Sequence, residues 1–328
     1  MKPSDANITY AEHATDILGV AVALIRSGQR CALVASVAIE GGAAREVGSL
    51  AVVSASGAMT GYLSNGCIDR DIVLQGLDAL EAGQVRHIRY GAGSPYMDLK
   101  LPCGGALELV IDPQPDLATV EAAHAALRAR QAAELSFDIG RGLVPNKDGP
   151  LLFRYAPKPA LVLAGRGAIF RTTAALAASM EFDLHLASPD EVDLDSLVGL
   201  GAVSAQLMTT PDQSPPLPVD RKTAVLLLFH DHEWEQAILL AAAPQSPFFL
   251  GALGSMKTQA RRLSALEDSG ADAALRARVR GPIGLVPSLR SASQIAVSAL
   301  AEVISAMPVA QEQLRPQVVQ TDRHQPAQ

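Results

Sequence analysis

The chain has 328 residues, of which 48% are hydrophobic, 19% charged and 4% aromatic. This composition excludes a disordered, collagen-like or disulfide-scaffold protein, and the length suffices for two domains. The formal net charge of −7, from 27 basic and 34 acidic residues, argues against nucleic acid as a partner. The opening residues 1–13 contain no apolar run, and no apolar stretch approaches the ~20 residues of a membrane span. We therefore expect a cytoplasmic protein without a membrane partner.

The first part of the chain, residues 1–115, has the pattern of a small α+β domain. Apolar residues at helical spacing predict helices over 10–27 and 68–82, the second ending at Gly83. Strands are predicted, from alternating or β-branched runs, over 31–39, 48–54, 59–63, 85–90 and 107–111. The composition shifts over 116–158, where we expect a partly structured linker with an alanine-rich helix and two short strands.

The following segment, residues 159–307, alternates short apolar strands with helices. Strands are predicted over 161–164, 183–187, 202–206, 223–229 and 248–252. This order is typical of a Rossmann-like domain with a doubly wound parallel sheet, so the fold class is α/β. The tail, 308–328, is rich in Gln and Pro, and we expect it to be disordered.

Three cysteines, Cys31, Cys67 and Cys103, are an odd number without a CxxC spacing, which indicates neither a disulfide framework nor a four-thiolate zinc site. Cys67 follows Gly66 at a predicted strand–helix junction, where a helix N-terminus favours the thiolate. Cys31 lies inside an apolar strand, where a buried and unreactive thiol is expected. For Cys67 and Cys103, reactive and buried thiols stay alternatives.

Cys103 is followed by Gly104 and Gly105 in a loop rich in Gly, Ser and Pro. Two glycines in succession allow another backbone or a ligand to approach closely. A functional thiol at this loop is therefore a second candidate beside Cys67.

Gly165 and Gly167 stand between a predicted strand and a predicted helix, as the first glycines of a dinucleotide-binding fingerprint do. The match is incomplete, because Phe170 replaces the third small residue and Ser188, rather than an acid, ends the next strand. Two interpretations stay open: an NAD site, or a Rossmann-like fold whose glycine turn serves another ligand or only the structure. The incomplete fingerprint favours the second.

His230, Asp231 and His232 follow the apolar strand 223–229, at the carboxyl end where open α/β sheets bind ligands. The two histidines could bind a metal ion, hydrogen-bond a ligand or partner, or stabilise the fold. No third ligand stands at a telling spacing, so the metal interpretation is the weakest of the three.

Gly254, Ser255 and Lys257 follow another predicted strand and open a basic stretch. Residues 257–290 contain seven bases and three acids, a local charge of 7 − 3 = +4. Such a stretch favours an anionic ligand or an acidic partner, and a solvated helix face is the alternative.

Several motifs, taken in order, resemble the XdhC/CoxI family, accessory proteins in the maturation of xanthine dehydrogenase and related molybdenum hydroxylases. In the first domain the motifs are GYLSNGCIDRDIV (61–73), RYG (89–91) and LPCGGALELVIDP (101–113). In the second they are LVLAGRGAIF (161–170), FHDHEWE (229–235), FFLGALGSMKTQARR (248–262) and GPIGLVPSLRSASQIAVSALAEVI (281–304).

The resemblance implies a chaperone for molybdenum cofactor (molybdopterin) with no substrate turnover of its own. Such a chaperone binds and shields the cofactor, presents it to a cysteine desulfurase for exchange of an oxo for a sulfido ligand, and inserts it into an apo-molybdenum hydroxylase of the xanthine dehydrogenase or aldehyde oxidase type. The residues predicted to bind the cofactor are Cys67, Cys103, Gly66, Gly104, Gly105, Gly165, Gly167, His230, Asp231, His232, Gly254, Ser255 and Lys257.

Chemistry assigns these residues different parts of the cofactor. Molybdenum is thiophilic, so the thiolate of Cys67 or Cys103 would contact the metal. The pterin phosphate would lie against Lys257 or the amides of a glycine turn.

The chain departs from the family pattern at two places. Residues 64–69 read Ser-Asn-Gly-Cys-Ile-Asp where the family usually has Ser-Gly-Gly-Cys-Val-Glu, which keeps the thiol and an acid. Residues 165–169 read Gly-Arg-Gly-Ala-Ile in place of Gly-Ala-Gly-His-Val, which weakens the prediction of a nucleotide site and argues against NAD(P). An NAD(P)-dependent oxidoreductase and a cofactor-free scaffold that recruits the desulfurase stay alternatives, and a homodimer is compatible with the fold.

Overall fold

The computed structural model describes residues 7–42, 44–94, 104–308 and 317–318. The chain divides into two compact units. The first consists of Met1–Pro157 with Ala310–Gln328, and the second is Lys158–Val309.

The first unit contains two sheets and three helices among its described residues. The strands are β1 (Ile8–Thr9), β2 (Cys31–Glu40), β3 (Leu50–Ser54), β4 (Met59–Gly61), β5 (Arg86–Gly91), β6 (Ala106–Asp112), β7 (Ala133–Asp138), β8 (Gly142–Val144) and β9 (Leu151–Tyr155). The helices are α1 (Ala14–Arg26), α2 (Asp69–Ala82) and α3 (Leu117–Arg128), with a 3₁₀ turn at Pro145–Lys147.

The larger sheet of this unit has the strand order β1-β4-β3-β2-β6-β5. Every neighbouring pair is antiparallel except β1 and β4. The pairings therefore bring the ends of β2, β4 and β5 and the start of β6 to one end of the sheet. The Cys67 segment follows β4 and the Gly104–Gly105 segment precedes β6, so both adjoin this end of the sheet.

Alternate residues of β2 face opposite sides of this sheet, as a period of two requires. Ala32 and Val34 pack in the core that includes Ile72 and Leu80 of α2. Leu33 belongs to the core on the other face, which α1 and α3 share with the second sheet. Helix α2 therefore packs on one face of the sheet, and α1 and α3 pack on the other. The N-terminus of α2 lies at the end of the sheet described above.

Residues 116–157, which make up nearly all of the segment 116–158 predicted to be a linker, instead form part of the first unit. Strands β7, β8 and β9 form the second sheet in the order β9-β7-β8, and a two-residue strand, β15 (Gln317–Val318), pairs with β9. Phe137 and Phe153 of this sheet lie fully buried in one core with Leu18 of α1. Apart from residues 308 and 317–318, the tail predicted to be disordered lies outside the described residues.

The second unit has the predicted architecture. Its strands are β10 (Ala160–Gly165), β11 (Asp183–Ser188), β12 (Ser204–Leu207), β13 (Thr223–Leu228) and β14 (Phe249–Ala252). Its helices are α4 (Gly167–Ala177), α5 (Glu191–Asp195), α6 (Glu235–Ala242), α7 (Met256–Asp268), α8 (Ala273–Arg278) and α9 (Ala292–Ala306), with 3₁₀ turns at His232–Trp234 and Ala243–Gln245.

The five strands of the second unit are all parallel, in the order β12-β11-β10-β13-β14. Leu161 and Leu226 pack with α4 and α9 on one face, and Val162 and Val225 with α6 on the other, as in a doubly wound sheet. The chain runs outward from β10 to β12 and then returns to β13. The strand order thus reverses between β10 and β13, where such folds bind ligands.

Helix α7 was not predicted from the sequence. The residues that it buries are Gln259, Arg262 and Leu266, so its core-facing side is mostly polar and has no apolar periodicity. None of the helices in the described part of the chain is long and apolar enough to cross a bilayer.

Candidate functional site

The Cys67 segment is a loop between β4 and α2 whose shape is set by a buried carboxylate. Asp69, fully buried at the first position of α2, accepts hydrogen bonds from the amides of Leu63 and Ser64, both at 3.0 Å, and of Gly66 at 2.9 Å. The Ser64 hydroxyl donates to the same carboxylate at 3.0 Å. Four donors satisfy the buried charge, so the loop is fixed. Cys67 lies exposed at its surface.

A hydrogen bond joins the start of α2 to the end of β5. Asp71 accepts from the hydroxyl of Tyr90 at 2.6 Å, and the side chain of Tyr90 is fully buried. Gly91, which follows Tyr90, lies so close to Gly105 that a Cβ on Gly91 would fall on the carbonyl oxygen of Gly105. Because Gly91 also has φ +83°, only glycine fits there. The start of α2 and the Gly105 segment therefore both adjoin residues 90–91.

Cys103 lies outside the described residues. Its neighbour Gly104 is exposed, and a Cβ there would meet nothing within 4 Å. Gly105 is buried against the backbone of Glu40 and Gly42 at the end of β2. Gly104 and Gly105 thus enter β6 at the end of the sheet where the Cys67 loop leaves β4.

Charged side chains on the face of the sheet opposite to Tyr90 and α2 form ion pairs at the same end of the sheet. Arg89 of β5 forms ion pairs with Glu40 of β2 at 2.6 Å and with Glu108 of β6 at 2.5 Å. Hydrogen bonds to these two carboxylates raise the pKa of Arg89. His87 also contacts Glu108, at 2.9 Å. These pairs join three strands, so each residue of the RYG motif has a structural role: Arg89 bridges strands, Tyr90 bonds to α2 and Gly91 admits Gly105.

Cys31 is distinct from Cys67. It begins β2, at the other end of the sheet, and is 2% exposed. Burial, with a smaller contribution from the charge of Asp112, raises the pKa of its thiol to about 11. Cys31 is thus a protonated core residue, as its apolar strand predicted.

In the second unit, the crevice at the strand-order reversal is bridged by an ion pair. Gly165 ends β10 so close to β13 that a Cβ would lie 2.6 Å from the carbonyl oxygen of Leu228. The next residue, Arg166, forms an ion pair with Asp231, which follows β13. Both side chains are partly exposed, at 41% and 44%. Arg166 and Asp231 thus pair with each other across the position where a ligand was expected.

The N-terminus of α4 is occupied by a carboxylate of the chain itself. The amide of Gly167 donates to Asp193 of α5, whose side chain is buried and also pairs with Arg171 at 3.2 Å. In dinucleotide-binding folds this helix terminus faces the pyrophosphate. Phe170, at the third fingerprint position, is fully buried in the core. The glycine turn therefore resembles a nucleotide site in sequence, but its first amide is already bonded.

A buried ion-pair network connects the FHDHEWE motif with the residues QARR at the end of the motif 248–262, and no local pattern in the sequence predicts it. Glu235 of α6 and Arg262 of α7, 1% and 3% exposed, form a two-pronged pair with N–O distances of 2.7 and 3.1 Å. His232 contacts Glu235 at 3.1 Å. Arg262 also donates to the carbonyl of Leu253 at 2.6 Å and to Gln259 at 2.5 Å. In the sequence, the one indication is that the motifs 229–235 and 248–262 contain residues of opposite charge. Their pairing depends on tertiary structure.

The other predicted residues of this sheet edge divide into structural and exposed ones. Ser255 caps α7 by accepting from the amide of Thr258 at 3.1 Å, and Gly254 lies against Thr258. His230 and Lys257 are exposed and have no hydrogen-bond or ion-pair partner among the described residues. No cluster of three His, Cys, Asp or Glu residues in the described chain could hold a metal ion. The structure therefore assigns no metal site to His230 and His232.

Most of the bases in the stretch 257–290 form contacts within the fold. Besides Arg262, three of its bases have partners: Arg276 pairs with Glu267 at 2.6 Å, Arg280 pairs with Glu302 at 3.8 Å, and Arg278 donates to the carbonyls of Ala243 and Pro247. The bases without a partner in the described chain are Lys257, Arg261 and Arg290. The local charge of +4 is therefore not an exposed basic surface of that size.

Comparison with known proteins gives matches to both units. The family described as XdhC and CoxI family matches residues 24–91, and the XdhC Rossmann domain matches residues 161–303. The chain is 35% identical over 317 residues to the molybdenum cofactor insertion chaperone PaoD of Escherichia coli (strain K12), covering 93% of this chain and 91% of that protein.

A solved structure described as a xanthine dehydrogenase from Bacillus halodurans has the same fold. It aligns with a TM-score of 0.72 and 17% sequence identity, over 90% of this chain and 95% of that one. The confirmed fold class, the family matches in both units and the extensive identity with PaoD agree with one another. The chain belongs to the XdhC and CoxI family.

Proposed function

We propose that the chain is a cytoplasmic chaperone that binds molybdenum cofactor, protects it, supports its sulfuration and inserts it into a molybdenum hydroxylase of the xanthine dehydrogenase or aldehyde oxidase type. The cofactor is cargo, so the chain itself turns over no substrate. The observation that carries the proposal is the exposed thiol of Cys67 on a loop fixed by the buried carboxylate of Asp69. The similarity to an insertion chaperone supports the identity of the cargo.

The chemistry of the Cys67 end of the first sheet suits a thiophilic metal centre. A thiolate is a soft ligand of the kind that molybdenum accepts, and a preordered loop lowers the entropy lost on binding. We propose Cys67 and Cys103 as the thiols that contact the metal. Gly66 and Gly104, where a Cβ would meet nothing within 4 Å, would then allow the pterin to approach the backbone, and Gly105 would hold the segment against Glu40 and Gly42.

The edge of the second sheet has a different role in this proposal. Gly165, Gly167, Asp231, His232, Gly254 and Ser255 are engaged within the fold. His230 and Lys257 are exposed, and we propose that they contact the cargo or a partner. The Asp193 carboxylate at the Gly167 amide supports the interpretation that this edge is not an NAD(P) site. Titration with NAD and NADP is expected to give no binding, and saturable binding would favour the oxidoreductase alternative.

The test is the pterin content of the purified chain. The wild type and the variants Cys67→Ser, Cys103→Ser and Cys31→Ala are expressed in a host that makes molybdenum cofactor, purified anaerobically and oxidised, and the fluorescent pterin is quantified per chain. The wild type and Cys31→Ala are expected to carry pterin, and Cys67→Ser is expected to lose most of it. A wild type that neither retains pterin nor takes it up from an added supply contradicts the proposal.

Partner binding separates the chaperone from a scaffold without cofactor. Both interpretations predict capture of a cysteine desulfurase, but only the chaperone requires Cys67 for maturation of the apo-hydroxylase. Activity of the client hydroxylase, reconstituted with wild-type or Cys67→Ser chain, is therefore the discriminating readout. Unchanged maturation by Cys67→Ser, with the desulfurase still bound, would favour the scaffold. The oligomeric state stays a prediction, and a homodimer would be seen by light scattering.

A further inference from the structure

Strand β12 forms one edge of the second sheet, and in the described part of the chain it pairs with β11 alone. The outer side of an edge strand presents backbone N–H and C=O groups that a further strand can pair with. Natural proteins often protect such edges with lysine or proline. Strand β12 is short and reads Ser-Ala-Gln-Leu, so it contains neither a charged residue nor a proline. Its outer side is therefore open to a further strand.

The exposed side chains beside this edge are apolar. Val203, Ala205 and Leu207 are alternate residues, so they lie on one face of the sheet, and all three are exposed. Helix α5 contacts β12, and Val192 in α5 and Val198 after it are 70% and 81% exposed. Exposed apolar side chains on two adjoining elements favour an interaction surface.

The segment around β12 is strongly acidic. Residues 172–220 contain eight acids and no Lys or Arg. The remainder of the chain has 34 − 8 = 26 acids and all 27 bases, a charge of +1. The segment that contains β11, α5 and β12 therefore carries the whole net negative charge of the protein, and it favours a cationic partner.

Three of these acids keep a charge that no base of the described chain neutralises. Glu191 and Asp195 are exposed one helical turn apart on α5, and neither side chain has a hydrogen-bond or ion-pair partner among the described residues. The side chain of Asp212, exposed in the loop after β12, has none there either. Like charges at i and i+4 repel each other, a cost that cations from a partner would offset. The preceding base in the sequence, Arg171, already pairs with Asp193 at 3.2 Å.

We infer that the β12 edge docks an extended basic segment of a partner protein, which adds a strand to the sheet beside β12. Backbone hydrogen bonds to β12 would give affinity, apolar side chains of the segment would cover Val203 and Leu207, and its Lys or Arg side chains would pair with Glu191 and Asp195. A second copy of the chain fits less well, because a symmetric contact would bring two acidic edges together. The inference does not depend on the proposed function, since no cargo takes part.

Fluorescence anisotropy with a labelled peptide tests the inference on the full chain at low ionic strength. The probe is Lys-Lys-Val-Thr-Val-Lys-Lys, whose valines share one face when the peptide is extended. Saturable binding is expected, and it should weaken as salt is added. Two control peptides are expected to bind at least about tenfold more weakly. One has glutamates in place of the lysines, and the other keeps every side chain but carries N-methyl groups on its central amides, which then cannot donate to β12.

Variants of the chain locate the bound peptide. Ala205→Lys places a like charge on β12, and Glu191→Gln with Asp195→Asn removes two acids. Each is expected to weaken binding about tenfold. The matched control, Glu233→Gln with Asp268→Asn, removes two exposed acids elsewhere in the second unit and is expected to bind as the wild type does. All these positions are exposed, so the variants are expected to fold.

Three results of the titration would overturn the inference: no saturable binding of the lysine peptide to the wild type, undiminished binding of the N-methylated peptide, or equal weakening in the control variant. Light scattering tests the other occupant. The wild type is not expected to self-associate through β12, so a dimer that Ala205→Lys dissociates would assign this edge to a second copy and would also overturn the inference.

Discussion

Two buried carboxylates, one in each unit, have opposite consequences for the loops that they organise. Asp69 accepts the amides of the loop before its own helix, and the thiol of Cys67 stays exposed on the other side. Asp193 instead reaches from α5 to the first amide of α4, the group that a bound phosphate would need. The first carboxylate orders a loop that carries an exposed thiol, whereas the second bonds to an amide that would face the phosphate in a dinucleotide-binding fold.

A glycine-rich turn beside a helix is therefore ambiguous by itself. Both turns carry a glycine next to a helix start in the sequence. The two turns differ in the position of the buried acid in the sequence. Asp69 follows Gly66 by three residues, whereas Asp193 follows Gly167 by 26 residues.

The largest expected effect is in the second unit, at the pair of Glu235 and Arg262. Glu235→Ala leaves the guanidinium of Arg262 buried without its counter-charge, so we expect the free energy of unfolding to fall by about 3–5 kcal/mol. Urea unfolding monitored by circular dichroism measures the loss. The control is the double variant Glu235→Leu with Arg262→Met, which removes both charges and is expected to recover most of the stability. A single variant as stable as the wild type would contradict the structural role of the network.

Asp69→Ala is expected to cost about 3 kcal/mol, because the loop donors lose a charged acceptor. The Cys67 loop should also lose its order, so that the alkylation rate of Cys67 by iodoacetamide changes. Asp78→Ala, at an exposed position of the same helix, is the matched control and should leave both properties near wild type. Equal effects of the two variants would refute the special role of Asp69.

The third prediction uses pH to separate the thiols. The pKa of Cys31 rises from 9.0 to about 11 on burial, so the unfolded thiol ionises before the folded one. The stabilising contribution is therefore complete below about pH 9 and is lost as the pH rises to about 11, by about 2–3 kcal/mol in total.

Urea midpoints at about pH 8 and about pH 11, compared between wild type and Cys31→Ala, isolate this contribution. The variant should show a smaller loss of stability over that interval, because it has no thiol to ionise. Parallel curves for the two proteins would show that Cys31 is not held protonated by burial. In the folded wild type at about pH 8, iodoacetamide should modify Cys67 and spare Cys31.

The smallest effect is expected at the ion pair that bridges the second sheet. Arg166 and Asp231 are both partly exposed, so Arg166→Gln should change the free energy of unfolding by about 1 kcal/mol or less. The variant should also remain without affinity for NAD, since Asp193 still occupies the Gly167 amide. Saturable NAD binding by Arg166→Gln would show that the ion pair, rather than Asp193, closes the site.

The sequence predicted the elements whose local signals agree with their tertiary environment. The strand β13 is a continuous apolar run and is buried on both faces, and α2 ends at Gly83, which has the left-handed conformation expected of a helix-terminating glycine. The segment 116–158 was predicted to be a linker because the composition shifts there. The apolar residues of its strands become core only when Phe137 and Phe153 pack with α1, more than 100 residues earlier in the chain.

The candidate site was predictable only in part, for a physical reason. The glycine and cysteine motifs marked candidate loops, but hydrogen bonds determine whether the amides of a loop are free or already bonded. Asp193 stands 26 residues after Gly167, and nothing local in the sequence shows that its carboxylate bonds to the Gly167 amide. Helix α7 escaped prediction for the same reason, since it buries Gln259 and Arg262 in polar contacts rather than apolar ones.

Pterin content in two variants, Cys67→Ser and Gly167→Ala, shows directly which of the two sheets holds the cargo. A Cβ at Gly167 would meet nothing within 4 Å, so beyond a cost of about 1–2 kcal/mol for its positive φ this substitution would obstruct only a bound ligand. The account predicts that Cys67→Ser loses the pterin and Gly167→Ala keeps it. Loss of pterin in Gly167→Ala with full retention in Cys67→Ser would contradict the account and assign the cargo to the second sheet.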